Sequence, residues 1–177
     1  MNHIIYAESM NAALVIARLA IGLGFAAHGA QKLFGWFGGY GLRNTGEFMV
    51  KLGWQQGRFF ATAASLAETT AGVLIALGFL WPLGPALMIL MMLTAALTVH
   101  IKNGFFNAKN GYELPLVYAM SALILAFTGP GSYSLDRFLG LDWLYSPRND
   151  WIAIGLAVGM AIINVVLRRP APPAASP

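Results

Sequence analysis

The chain has 177 residues, 58% of them hydrophobic and 10% charged, with a mean hydropathy of +0.63. Soluble domains of this size commit about a quarter of their residues to charge, so the shortfall, with several apolar runs near spanning length, implies an all-α integral membrane protein. There is no cysteine, which excludes disulfides, thiolate metal sites and thiol redox chemistry within the chain; the net charge of +4 is scattered among loops and fits anionic headgroups rather than nucleic acid.

The opening, MNHIIYAESMNAAL, has no Lys or Arg ahead of its apolar run, so the first run, Ala12–Phe34, reads as a retained span rather than a cleaved signal. Next, 44-NTGEFMVKLGW-54 reads as a short interfacial helix: Asn44 caps it, Glu47 pairs with Lys51, and Phe48, Met49 and Leu52 form its apolar side. The second span is Phe59–Leu80. After the turn 81-WPLG-84 the third runs from Leu83 to His100. The loop 102-KNGFFNAKNGYE-113 carries two Asn-Gly turns around two phenylalanines. The fourth span, Glu113–Thr128, has Pro115 in its first turn, where a missing N–H is harmless. The stretch 133-YSLDRFLGLDWLY-145 reads as a second interfacial segment, Trp151–Leu167 as a fifth span, and 170-PAPPAASP-177 as a disordered tail. The expected organisation is a four-helix transmembrane bundle over 1–140, an additional transmembrane helix within 141–169, and the tail.

Eight basic residues, Lys32, Arg43, Lys51, Arg58, Lys102, Lys109, Arg168 and Arg169, fall on one side of these spans, against Arg137 and Arg148 on the other. The positive-inside rule therefore predicts a multi-pass protein of the cell (inner) membrane, with its N-terminus outside and its tail in the cytoplasm.

Two charges lie within spans. Arg18 is about six residues into the first, and Glu68 lies near the middle of the second. Antiparallel packing at 1.5 Å per residue separates them in depth by ~7 Å, within an arginine's reach, and an unpaired buried charge is costly, so the two are expected to pair. Gly22, Ala64 and Gly72 permit close approach. Such a pair serves either as a lock on helix register or as a binding or proton site, with Glu68 the candidate proton carrier and Arg18 its charge partner.

Gly24, His28, Gln31 and Lys32 share one face of the first helix. His100 ends the third span on the same side of the membrane, near Lys102 and Glu113, which together suggest a polar vestibule. An interfacial cap with an aromatic belt of Phe105, Phe106 and Tyr112 would use the same residues. A metal site lacks a carboxylate or third histidine at ligand spacing, one histidine per helix is a weak signal for bis-histidine haem, and no dinucleotide or phosphate-loop motif encodes a cofactor.

Arg18 followed by 28-HGAQKLFG-35, Glu68 in 68-ETTAG-72, 100-HIKNGFF-106, 112-YELP-115 and 129-GPGSYSLD-136 together resemble the DoxX family of small membrane proteins, over about residues 12–136. The resemblance implies a four-helix bundle in a bacterial or archaeal cell membrane. It also implies association with redox complexes, such as the membrane subunit of thiosulfate:quinone oxidoreductase and relatives linked to quinone or thiol stress. The fifth helix extends beyond the family's usual end.

The resulting expectation is a non-autonomous membrane subunit of a quinone-linked oxidoreductase, with a pocket for a quinone or similar amphiphile. His28 and His100 would bind the ligand, and Lys102, Phe105, Phe106 and Glu113 would line the mouth. Its partners would be the bilayer and a soluble or membrane redox protein, and a homo-oligomer is compatible with it. A small-molecule transporter and a purely structural anchor are the alternatives.

Overall fold

Residues 2–169 are described by a computed structural model in which every regular element is helical. The Pro/Ala-rich stretch 170–177, expected to be disordered, lies outside the described residues. The first helix, α1, runs Asn2–Phe34. It begins ahead of the expected Ala12 because residues 2–11 contain no Gly or Pro to interrupt it. The remaining helices are α2 (Gly41–Lys51), α3 (Gly57–Leu77), α4 (Leu83–Ala95), α5 (Glu113–Thr128), α6 (Leu135–Phe138) and α7 (Pro147–Val166).

Four segments are long and apolar enough to cross a membrane: Tyr6–Phe34, Gly57–Leu77, Leu83–Asn103 and Pro147–Val166. With 16 residues, α5 is roughly 24 Å long, short of the roughly 20 residues an untilted span needs. The protein is a multi-span, all-α membrane protein.

Small residues set the closest helix pair. A Cβ on Gly22 of α1 would lie 2.5 Å from the Gly72 carbonyl oxygen of α3, and one on Gly29 would meet Ser65 and Thr69. Without side chains at these points the two backbones approach directly, the usual basis of helix association where lipid removes the hydrophobic drive. Next to this pair, α4 packs against α3, α5 and α7. Its Met88, Ile89 and Met92 join Phe25, Ile75, Trp81, Ala122 and Ala126 in the core.

At one end of the bundle, α2 lies across α1 and α3. It starts at Gly41, so Asn44 falls inside the helix, where its amide donates to the Tyr40 carbonyl at 3.0 Å. Glu47 pairs with Arg43 at 3.5 Å. Both findings correct the expected Asn44 cap and Glu47–Lys51 pair, since the helix begins a turn earlier. Gly46 abuts Gly57 and Arg58 at the start of α3.

At the opposite end, the 133–145 stretch forms a brace. It forms the four-residue α6 and a tight turn at Asp142–Leu144. Asp136 is buried, and its carboxylate accepts the backbone N–H groups of Leu80 and Trp81, each at 2.8 Å, in the α3–α4 turn. Its own N–H donates to the Gly78 carbonyl at 3.0 Å. Gly78 holds φ +63, and a Cβ there would strike the Arg18 guanidinium and Ser134.

Ser146 caps α7 by accepting from the Asn149 N–H at 3.3 Å, and Pro147 occupies the first helical position. The helix lies along α4 and ends at the α2 end of the bundle. There the Arg169 N–H donates to the Gly53 carbonyl at 2.9 Å, and the Arg168 guanidinium lies 5.7 Å from the Trp54 ring.

Candidate functional site

A cavity of about 550 Å³ lies under α2, walled by the last turn of α1, the middle of α3 and the end of α4. Phe48, Met49, Leu52 and Trp54 supply an apolar roof, so the apolar side expected to face lipid instead covers this space. Lys32, Glu68, Thr94, Thr98 and His100 supply the polar wall. At the cavity α4 passes into a π-helical turn, Ala96–His100, that carries Thr98 and His100; such turns recur at functional sites.

The wall's central feature is an ion pair between Lys32 Nζ and Glu68 Oε1. Glu68 is 1% exposed, whereas the Lys32 side chain is 35% exposed. The second carboxylate oxygen, Oε2, is buried and has no hydrogen-bond partner among the described residues, and the same holds for Trp54 Nε1. The Thr94 and Thr98 hydroxyls donate to the carbonyls of Leu90 and Thr94 at 2.8 and 2.7 Å. His100 Nδ1 donates to the Asn110 carbonyl at 2.9 Å.

Arg18 is not Glu68's partner. Its guanidinium, in a residue only 2% exposed, donates to the carbonyl oxygens of Pro130 and Tyr133, the latter at 2.6 Å. The reason is register. Gly29, opposite Ser65 and Thr69, marks the level of Glu68 on α1, and it lies eleven residues beyond Arg18, roughly 16 Å along the axis. The expected ~7 Å came from matching the two apolar runs end to end, whereas the Gly22–Gly72 and Gly29–Ser65 contacts slide α3 toward the last turns of α1. Lys32 sits within a turn of that level and takes the carboxylate.

The sequence of this chain matches the DoxX family profile over residues 13–101. The chain belongs to the DoxX family. It is 33% identical over 129 residues to the "Inner membrane protein YphA" of Escherichia coli (strain K12), an alignment covering 70% of this chain and 88% of that protein. An "Uncharacterized protein" of Haemophilus influenzae is 34% identical over 55 residues, 31% of this chain and 34% of that one. No solved structure matches the chain.

The DoxX profile takes in Arg18, His28, Lys32, Trp54, Glu68, Thr94, Thr98 and His100, so every charged group in the cavity wall falls within the family's shared region. The geometry divides the residues singled out from sequence. Glu68 and His100 line the cavity; His28 does not. The His28 ring meets Tyr118 of α5 edge-on at 5.8 Å, and Nδ1 lies 3.1 Å from Gln31 Oε1. Gln31 in turn donates to the Phe37 carbonyl at 3.2 Å. The expected shared vestibule of His28 and His100 is therefore corrected: His28 faces α5, while the cavity opens between α1, α2, α3 and α4.

The 102–113 loop folds compactly around its two Asn-Gly turns, with Asn110 at φ +59 and Gly104 at φ +80. Asn110 reaches the cavity wall, but Lys102, Phe105, Phe106 and Glu113 do not. Phe105 packs edge-on against Phe106 and Tyr112, and Glu113 accepts the Asn107 N–H at 2.8 Å. These residues stiffen the loop.

Lys32, Trp54 and the two threonines were missed as site residues. Thr94 and Thr98, four apart in an otherwise apolar run, were a legible signal. Asp136 and Asp150 are both buried. Asp150 Oδ1 has no partner among the described residues, and its place in the first turn of α7 suits a negative charge.

Proposed function

We propose that this DoxX-family chain is the membrane subunit of a redox complex and that the cavity under α2 receives a quinone-like amphiphile. The observation that carries this reading is the unpaired, buried Glu68 oxygen in the wall of a cavity large enough for a small ring. The apolar roof suits the ring and tail. In this reading Glu68 takes or gives the ligand's proton, Lys32 holds its charge, and electrons pass to or from a partner protein, because no nucleotide motif lies in this chain.

The same reading puts five spans in the membrane and the α2 end at the cytoplasmic face. The basic loops Arg43–Arg58 and Lys102–Lys109 and the Arg168–Arg169 end gather there. A ligand would then enter from the inner leaflet, beside α2.

The test is purification in mild detergent followed by mass spectrometry of bound small molecules and proteins. A quinone-type amphiphile should accompany the wild-type protein and be lost from Ala64→Phe, which fills the cavity. It should be retained by His28→Phe, whose change lies outside it. Equal retention by wild type and Ala64→Phe would overturn the reading, and a chain that carries only a partner protein would be an anchor.

A further inference from the structure

The cavity wall is unevenly supplied with hydrogen-bonding groups. Glu68 meets the Lys32 ammonium as a carboxylate, and a carboxylate only accepts. Its Oε2 has no partner. The Thr94 and Thr98 hydroxyl protons are committed to the carbonyls of Leu90 and Thr94, so these oxygens offer lone pairs. With Nδ1 donating to Asn110, a neutral His100 presents Nε2 as an acceptor as well. Against these four acceptors stand the unpartnered Trp54 N–H and the Lys32 ammonium.

A quinone carbonyl only accepts, and against Glu68 Oε2 it would set one oxygen lone pair against another. A ring hydroxyl donates one proton and still accepts. It can therefore satisfy Glu68 and Trp54, which a carbonyl cannot. We propose that the cavity under α2 selects the reduced, dihydroxy form of its ligand, a neutral hydroquinone in which one hydroxyl donates to Glu68 Oε2 and accepts from Trp54 while the other donates to the Thr98 hydroxyl oxygen. This rests on the quinone-like reading above and names the redox state that the wall recognises.

The experiment uses the full chain in phosphatidylcholine nanodiscs, kept anaerobic. Decylubiquinone and decylubiquinol are the matched probes, and empty nanodiscs correct for partition into lipid. Hydrogen bonds to charged groups are worth about 1.5–3 kcal/mol, so the quinol should bind at least about tenfold more tightly. Glu68→Gln, whose amide both donates and accepts, should bring the ratio close to one. Thr98→Val leaves the Lys32–Glu68 pair intact and should lower the ratio, which covers the case where Glu68→Gln fails to fold. Trp54→Phe should weaken both forms alike, since either can accept from an indole. Equal binding of the two forms, or tighter binding of the quinone, overturns this proposal and leaves the proposed function standing. Binding of neither form overturns both.

Discussion

Lys32 and Glu68 are unequal partners, and the inequality can be measured. Lys32→Met strands a carboxylate that is 1% exposed, a loss of about 3 kcal/mol or more. Glu68→Gln strands an ammonium whose side chain is already a third exposed and can extend toward headgroups, so the cost should be about half that or less. Thermal unfolding in detergent should rank Lys32→Met well below Glu68→Gln, and equal losses would contradict the burial asymmetry. Arg18 bonds elsewhere, so Arg18→Gln and Glu68→Gln should add to within about 0.5 kcal/mol. Tyr133 offers a pH signature outside the spans. Its hydroxyl donates to Glu8 at 2.5 Å, and that bond, the carboxylate's charge and desolvation together raise the phenol's pKa above its ordinary value. A raised folded-state pKa contributes stability that is fully present below about pH 10 and is lost as pH rises through the folded value. Stability measured from pH 9 to 12 should therefore fall less steeply in Tyr133→Phe than in wild type.

Among the helices, glycine has two different meanings. Gly72 lies where a Cβ would collide with Gly22 and Ala26, so Gly72→Ala must push α1 and α3 apart. Gly155 of α7 has nothing within 4 Å of an added Cβ, and Gly155→Ala should be neutral or stabilising by up to about 1 kcal/mol. Melting temperatures of the two variants should move in opposite directions or differ by several degrees. Sequence periodicity and length were enough for the helices themselves: α5 has the expected bounds, and α3, α4 and α7 differ only at their ends. Interhelix register was not legible. A glycine reveals that a close approach exists, but the residue opposite depends on how far one helix slides along the other, and here Gly22 meets Gly72 while Gly29 meets Ser65 and Thr69. That register gives Glu68 to Lys32 instead of Arg18. The same limit hid the facing of α2, whose apolar side looks alike whether it covers lipid or a cavity.

For the whole molecule, the docking of α7 onto Gly53 and Trp54 puts the end of the described chain at the α2 end. With the basic residues gathered there, single cysteines replacing Lys51, Asn107 and Arg169 in this cysteine-free chain should escape a membrane-impermeant label in intact cells. A cysteine replacing Phe138 should react. Labelling of Lys51→Cys and Arg169→Cys from opposite faces would break the α7 geometry, while reversal of all four would reverse only the orientation.

The brace at the other end bears on how the chain is made. The Arg18 guanidinium waits for the carbonyls of Pro130 and Tyr133, and the N–H groups of Leu80 and Trp81 wait for the Asp136 carboxylate. All three waiting groups lie within residues 13–101, and all their partners are translated later. A ribosome that has synthesised only α1 to α4 has therefore delivered a buried cation and an open turn with nothing of their own to bind. The family's shared half should behave as a late-maturing intermediate that depends on water, lipid headgroups or insertion machinery until the segment around Pro130 arrives to close it.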